Sequence, residues 1–401
     1  MVGYTAAGMR GQRFGQALIL ISFALGAAAA RAQETAGETD SEHYQVRTEL
    51  GTEFDSNAHR TEQLSSADGG LVRSFLQRLV VSGQFVDQVA PRHAIAVSAT
   101  AAAKIFDAPA ARSESVAIAQ SALMWRAALG ARTWLSPSGA YYEAFQSWGP
   151  AFDPAGERRD FRSLAPVLDL RTGLRDNVEL GMAVGYRWLV FKPDRNFDFD
   201  GPTAGVNVRW LYDTEGGADW EARAGAALEY RRFGGPAQVG NCPPDGLPCP
   251  GPEMRTDNFV MGQAELTRTG RLLIGIGYAF QHNASNSFGE TLIRHIAIAR
   301  ITAPLPLGFY LAARADLLFA FYRDPVPVAQ AIDMPQMTGG KPYINIEDEN
   351  RSSVRVDLSR DIGEPLRAVV RYTFYANELG ASSGIYRRHT LLLSLAFAFG
   401  K

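Results

Sequence analysis

Large apolar residues recur at every second position through most of this chain. The last segment, "RRHTLLLSLAFAFGK", sets Leu391, Leu393, Leu395, Phe397 and Phe399 against Leu392, Ser394, Ala396, Ala398 and Gly400, which are mostly small or polar. A period of two belongs to a strand with two unlike faces, not to a buried helix. "YQVRTELGTEF" separates Tyr44, Val46, Leu50 and Phe54 from Gln45, Arg47, Glu49, Gly51 and Glu53. "VELGMAVGYRWLVF", "WEARAGAALEYRRF", "RLLIGIGYAF", "FYLAARADLLFAF" and "LRAVVRYTFYAN" repeat the pattern. About sixteen such strands of roughly 10 to 15 residues can be placed, against a soluble mean of about 5 to 6. A tilted bilayer crossing needs strands of at least about 9 to 11 residues. The strands before Leu135 are the least regular: "AVSATAAAKIF" is Ala-rich and "ALMWRAALGARTWL" also reads as helical.

The connections alternate in length. Counting back from the end, Asp361–Pro365, Ala303–Leu307, Arg268–Gly270 and Asp213–Asp219 are short, whereas Arg323–Asn350, Asn283–Glu290, Gly234–Met254 and Lys192–Asp200 are longer. Short turns at one rim and long loops at the other are the habit of barrels in outer membranes. An open edge would leave backbone groups unpaired in hydrocarbon, so the sheet must close, last strand on first. The expectation is an all-β fold: a closed antiparallel transmembrane β-barrel of about 16 strands, with short periplasmic turns, longer outer loops and both termini periplasmic. Trp188 and Phe191, Phe319 and Phe321, and Phe397 and Phe399 would form its aromatic girdles.

Composition alters the start of the chain. Arg10 and Arg13 precede an apolar run from Ala17 to Ala30, closed by Ala30-Arg31-Ala32 before Gln33. That is the layout of a cleaved secretory signal, residues 1–32, leaving a short tail, 33–43, and a barrel, 44–401. Cleavage removes three Arg and no acid, which moves the formal net charge from −2 to −5. Neither value argues for nucleic-acid binding. Cys242 and Cys249 lie in "NCPPDGLPCPGP"; export favours a local disulfide that stiffens the loop over a metal pair. Nothing else in the chain calls for a metal or a cofactor.

With these features the sequence resembles a Gram-negative outer-membrane β-barrel over its mature length. More narrowly, "GTEFDSNAHR" is similar to the first strand of porins encoded with exopolysaccharide systems. "YRRHTLLLSLAFAF" is similar to the last strand of that group and of surface-lipoprotein assembly barrels. The aromatic final strand is similar to the signal read by the barrel-assembly machinery, although Gly400 and Lys401 follow Phe399. The resemblance implies an outer-membrane pore, a passive conduit for a surface polysaccharide or other anionic solutes. Its partners would be outer-membrane lipid, the assembly machinery and polysaccharide export components. The alternatives are a barrel assisting lipoprotein assembly and a general diffusion porin.

The faces opposite the large residues carry the candidate chemistry. Gly181, Ala183, Gly185, Gly225, Ala227, Gly275, Gly277 and Ala279 either keep the bore open or relieve curvature. Arg187, Arg209, Arg223, Arg231, Arg314, Arg367, Arg371 and Arg388 are pore-lining candidates that would favour anions. Glu179, Glu221, Glu229, Glu265, Asp316 and Asp357 share those faces, so the same arginines also read as ion-pair scaffolding. The segment Arg323–Asn350 could plug the lumen or stand outside as a solvated loop. Asp55-Ser56-Asn57 reads as a turn rather than a calcium site. No HExxH motif occurs, and His282 and Ser285 are three apart, on opposite faces of a continuing strand. No enzyme is expected.

Overall fold

The computed structural model describes residues 43–58, 71–145, 160–192, 195–213, 219–242, 247–324, 352–376 and 387–400. Residues 1–42, where the expected signal and most of the expected tail fall, and residues 325–351 of the longest loop lie outside them.

The described residues form sixteen strands: β1 His43–Asp55, β2 Ser74–Ala90, β3 His93–Phe106, β4 Val116–Ala128, β5 Thr133–Phe145, β6 Phe161–Arg175, β7 Val178–Phe191, β8 Phe199–Asp213, β9 Asp219–Cys242, β10 Leu247–Thr269, β11 Leu273–Ser285, β12 Leu292–Pro304, β13 Phe309–Tyr322, β14 Ser352–Gly363, β15 Leu366–Ala376 and β16 Arg387–Gly400. Each pairs antiparallel with its chain neighbours, and β1 pairs with β16, so the sheet is a closed barrel. The Ala-rich segment is part of strand β3, and "ALMWRAALGARTWL" spans the end of β4, a turn and the start of β5; β3 and β4 are held in a twelve-pair register from His93↔Ala127 to Lys104↔Val116.

Closure sorts the two parities. On β16, Leu393 is 56 % exposed and Leu392 is 1 %. Outward residues are mostly apolar and meet outward residues of the next strand, as in Leu50↔Leu395 and Val370↔Leu393. From His389 to Phe399, at about 3.3 Å per residue and a tilt of about 40°, the outer face rises roughly 25 Å, the height of a barrel's lipid band. Tyrosines mark its upper edge. The Tyr278 hydroxyl meets His295 Nδ1 at 2.6 Å, Tyr372 meets His389 Nδ1 at 2.8 Å, and Tyr186 donates to Asp200 at 2.5 Å. Such side chains, apolar in the ring and polar at the tip, belong at a membrane–water boundary. The fold is a transmembrane β-barrel of the outer-membrane type.

Three expectations need correction. Phe191 is not a girdle residue: it faces inward and is buried among Phe161, Leu189 and Phe199. Residues 234–254 are not a plain loop either. β9 and β10 continue as a paired ribbon well past the rim, with register shifts near Pro250 and Met254. Neighbouring connections hold its base. Gly234 N–H donates to the Asp198 carbonyl, and Phe288 N–H donates to the Gln238 carbonyl. The strand β11 also runs on to Ser285, which shortens the loop expected from Asn283.

Candidate pore interior

The inner wall is built by the alternate residues of all sixteen strands, and Arg187, Arg209, Arg223, Arg231, Arg314, Arg367, Arg371 and Arg388 all belong to it by register. Each stands beside an acid. Arg187 and Arg231 share Glu229, at 3.2 and 3.0 Å. Arg209 and Arg223 share Glu221. Arg314 bonds Asp316 at 2.8 Å, Arg367 bonds Asp361 at 2.6 Å, Arg371 bonds Asp357 at 2.8 Å and Arg388 bonds Asp55 at 2.5 Å. The partner is often two residues along the same strand, which is how an inward Arg meets an inward acid without leaving its own strand.

The glycines do not simply widen the bore. A Cβ on Gly181 would lie 2.6 Å from the Asn207 side chain, and one on Gly275 would lie 2.5 Å from Arg300 Nε. Neighbouring polar side chains lie flat across these glycines, so the space is filled by Asn207 and Arg300.

Burial divides the interior along the barrel axis. Toward the short turns the ion pairs are wet: the Arg314 and Arg367 side chains are 55 % and 46 % exposed. Toward the long loops they are dry, with Arg388, Asp55, Arg231 and Asp257 all buried. Burying a charge is costly unless it is paired and hydrogen-bonded, and these are. Arg388 grips Asp55 with two bonds at the seam between the last and first strands. Arg255 joins Asp257 and Glu290, and Asn283 donates to both Asp257 and the Glu290 carbonyl. Glu290 sits in the turn between β11 and β12. Burial pushes its carboxyl up to about 7, against the Arg255 guanidinium at 2.9 Å and with Asp257 adding to the rise.

On the β3–β9 side the dry half is apolar. Tyr142 stacks on Phe161 and Phe199 packs on Phe233, each with ring centroids 5.3 Å apart, alongside Ile118, Leu189 and Phe191. Arg231 lies over Phe259 and Arg255 over Phe233, so aromatic faces also attract the buried cations. Periodicity did not single out this arc. The available signal was parity: Phe161, Phe191 and Phe199 stand at the loop ends of their strands, and Phe233 where β9 passes the same rim, all on the inward, not the outward, set.

Asp55-Ser56-Asn57 forms the seam's turn. Asn57 N–H donates to the Asp55 carboxylate, Ser56 and His389 exchange two hydrogen bonds, and Asn57 Nδ2 donates to the Arg387 carbonyl. Within the two motifs, residues 51–58 and 387–399 are therefore the two sides of one closure. Cys242 and Cys249 are joined near the ribbon's tip, with Cα atoms 6.0 Å apart. His282 faces outward with Val260, while the inner position beside it is Asn283.

No protein-family profile matches the chain, and no curated protein does. Among solved structures, OccAB1 of Acinetobacter baumannii aligns over 90% of this chain and 97% of its own, at 11% identity and a TM-score of 0.46. OccK11 of Pseudomonas aeruginosa aligns over 90% and 96%, at 10% identity and 0.43. OmpT, an outer membrane protein of Vibrio cholerae, aligns in a loop-deleted form over 90% and 100%, at 11% identity and 0.42. Likeness at this level assigns neither family nor substrate.

Proposed function

We propose that the chain is an outer-membrane pore that lets small polar solutes pass passively. The observation that carries this reading is the inner wall of a closed sixteen-strand barrel, lined in its short-turn half by exposed ion pairs. Eight strands leave room only for side chains, whereas sixteen leave an aqueous lumen. The eight inner arginines would favour anions if alone, but all of them bond carboxylates, with Glu229 and Glu221 each serving two. Pairing therefore leaves at most a weak anion preference, and an anionic polysaccharide gains no continuous basic track. The two terminal motifs that resemble polysaccharide-system porins serve the barrel's seam, so they speak for closure rather than for cargo.

Purified, refolded protein in a planar bilayer tests this. The expected result is a stable ohmic conductance with a reversal potential close to zero in a salt gradient. A confirmed folded barrel without conductance would overturn the pore reading. A strongly anion-shifted reversal potential would overturn the balance of charge and bring anionic cargo forward.

A further inference from the structure

The outer wall holds a cavity of about 340 Å³ at the short-turn end of β8, β9 and β10, lined by Trp210, Tyr212, Trp220, Ala222 and Leu266. Register explains its shape. In the row nearest the turns, Tyr212 stands beside Trp220, Trp220 beside Arg268 and Arg268 beside Ile274. In the next row Ala222 lies between Trp210 and Leu266, a methyl between two bulky neighbours. The alanine forms the floor and the indole rings form the walls.

Arg268 sets this place apart. It points outward on the parity of Leu266, and it has no ion pair or hydrogen bond among the described residues, unlike the inner arginines. Its row of Tyr212, Trp220 and Ile274 contains no acid. A cation at the edge of a lipid band is stable when it meets an anion, and guanidinium fits a phosphate with two parallel bonds. Aromatic side chains hold the same level of the membrane, where headgroup and chain join.

We propose that this groove binds one anionic phospholipid from the leaflet on the short-turn side. Arg268 takes the phosphodiester, Trp220 and Tyr212 flank the glycerol region, and an acyl chain lies over Ala222 between Trp210 and Leu266. A second copy of the same wall would bring no acid in that row to Arg268, whereas a phosphodiester supplies the charge. The site rests on the barrel's lying in a bilayer.

The test is quenching of tryptophan fluorescence by lipids brominated on the acyl chain. Full-length protein is reconstituted in vesicles containing increasing brominated phosphatidylglycerol or, separately, brominated phosphatidylcholine. The variant W210F/W220F identifies the emission that belongs to the groove. That emission should be quenched at a several-fold lower mole fraction of phosphatidylglycerol than of phosphatidylcholine, and R268Q should remove the difference. Equal quenching by both lipids, unchanged in R268Q, would mean ordinary surrounding lipid and would overturn the site. Groove emission that stays unquenched while the outward Trp125 and Trp188 are quenched would mean that protein covers the groove, which also overturns it. If no tryptophan responds, the bilayer reading itself fails.

Discussion

Single residues in this barrel are governed by whether a charge can find a partner without water. Arg388 and Asp55 are both buried, and their two-pronged bond joins the chain's ends. Removing one partner of such a pair strands the other, at about 3 to 5 kcal/mol. Asp55→Ala should therefore lower the yield of heat-modifiable barrel, and adding Arg388→Met should restore much of it. If the double variant is no better than the single, the pair is not coupled. Leu393, on the lipid face, responds to the opposite rule: Leu393→Arg should cost about 2 to 4 kcal/mol at mid-band. Normal barrel yield in that variant would contradict the facing of β16. Glu290 adds a pH dependence. Its folded carboxyl is raised from 4.5 to about 7, so between those values the fold holds a proton that the unfolded chain has released. The stabilisation is complete below about 4.5 and is lost as pH rises through 7. Urea resistance of the β11–β12 turn, followed by proteolysis across pH 5 to 8, should fall with rising pH, and Glu290→Gln should flatten the curve.

Strands here are legible because a two-sided surface leaves a period of two. The outward sets of β7, β9, β11, β13, β15 and β16 can be read from the sequence, since lipid demands apolar side chains there whatever the neighbours are. Inward positions carry no such demand. Phe191 looked like a girdle residue because an aromatic near a strand end reads the same on either face until the parity is fixed by pairing. Prolines and glycines between Gly234 and Met254 marked a loop, yet two strands continue there. Ladder bonds and supports from Asp198 and Phe288 outweigh local turn chemistry. The disulfide lies near the tip of this ribbon and closes a short loop, worth about 2 to 3 kcal/mol locally. Reduction, or Cys242→Ser with Cys249→Ser, should leave the heat-modifiable barrel intact and speed protease cleavage within the ribbon. Loss of the whole barrel on reduction would show that the ribbon holds more than itself.

The whole molecule adds a difference between its two ends. The short-turn half of the interior is wet and the long-loop half is dry, with an apolar arc on one side and buried ion pairs elsewhere. Exposed pairs are weakly held, at about 0 to 1 kcal/mol, so they can be altered without harming the fold. Asp361→Asn together with Asp316→Asn would free Arg367 and Arg314 in the wet half and should move the reversal potential toward anions. No movement would mean that these arginines lie away from the current path.

By itself the sequence determined that the chain is a closed barrel of long strands, which face of most strands is apolar, and which arginines turn inward. These follow from alternation and from the rule that backbone in hydrocarbon must be hydrogen-bonded, both of which act along the chain. Only the tertiary structure decided what the arginines do. Pairing of Arg388 with Asp55, of Arg187 with Glu229 and of Arg255 with Glu290 joins residues 35 to 333 positions apart. Register between strands sets those contacts, and a register is a property of neighbours that no single segment encodes. The same holds for the groove beside Arg268, where three strands must align before two tryptophans, one alanine and one cation share a place.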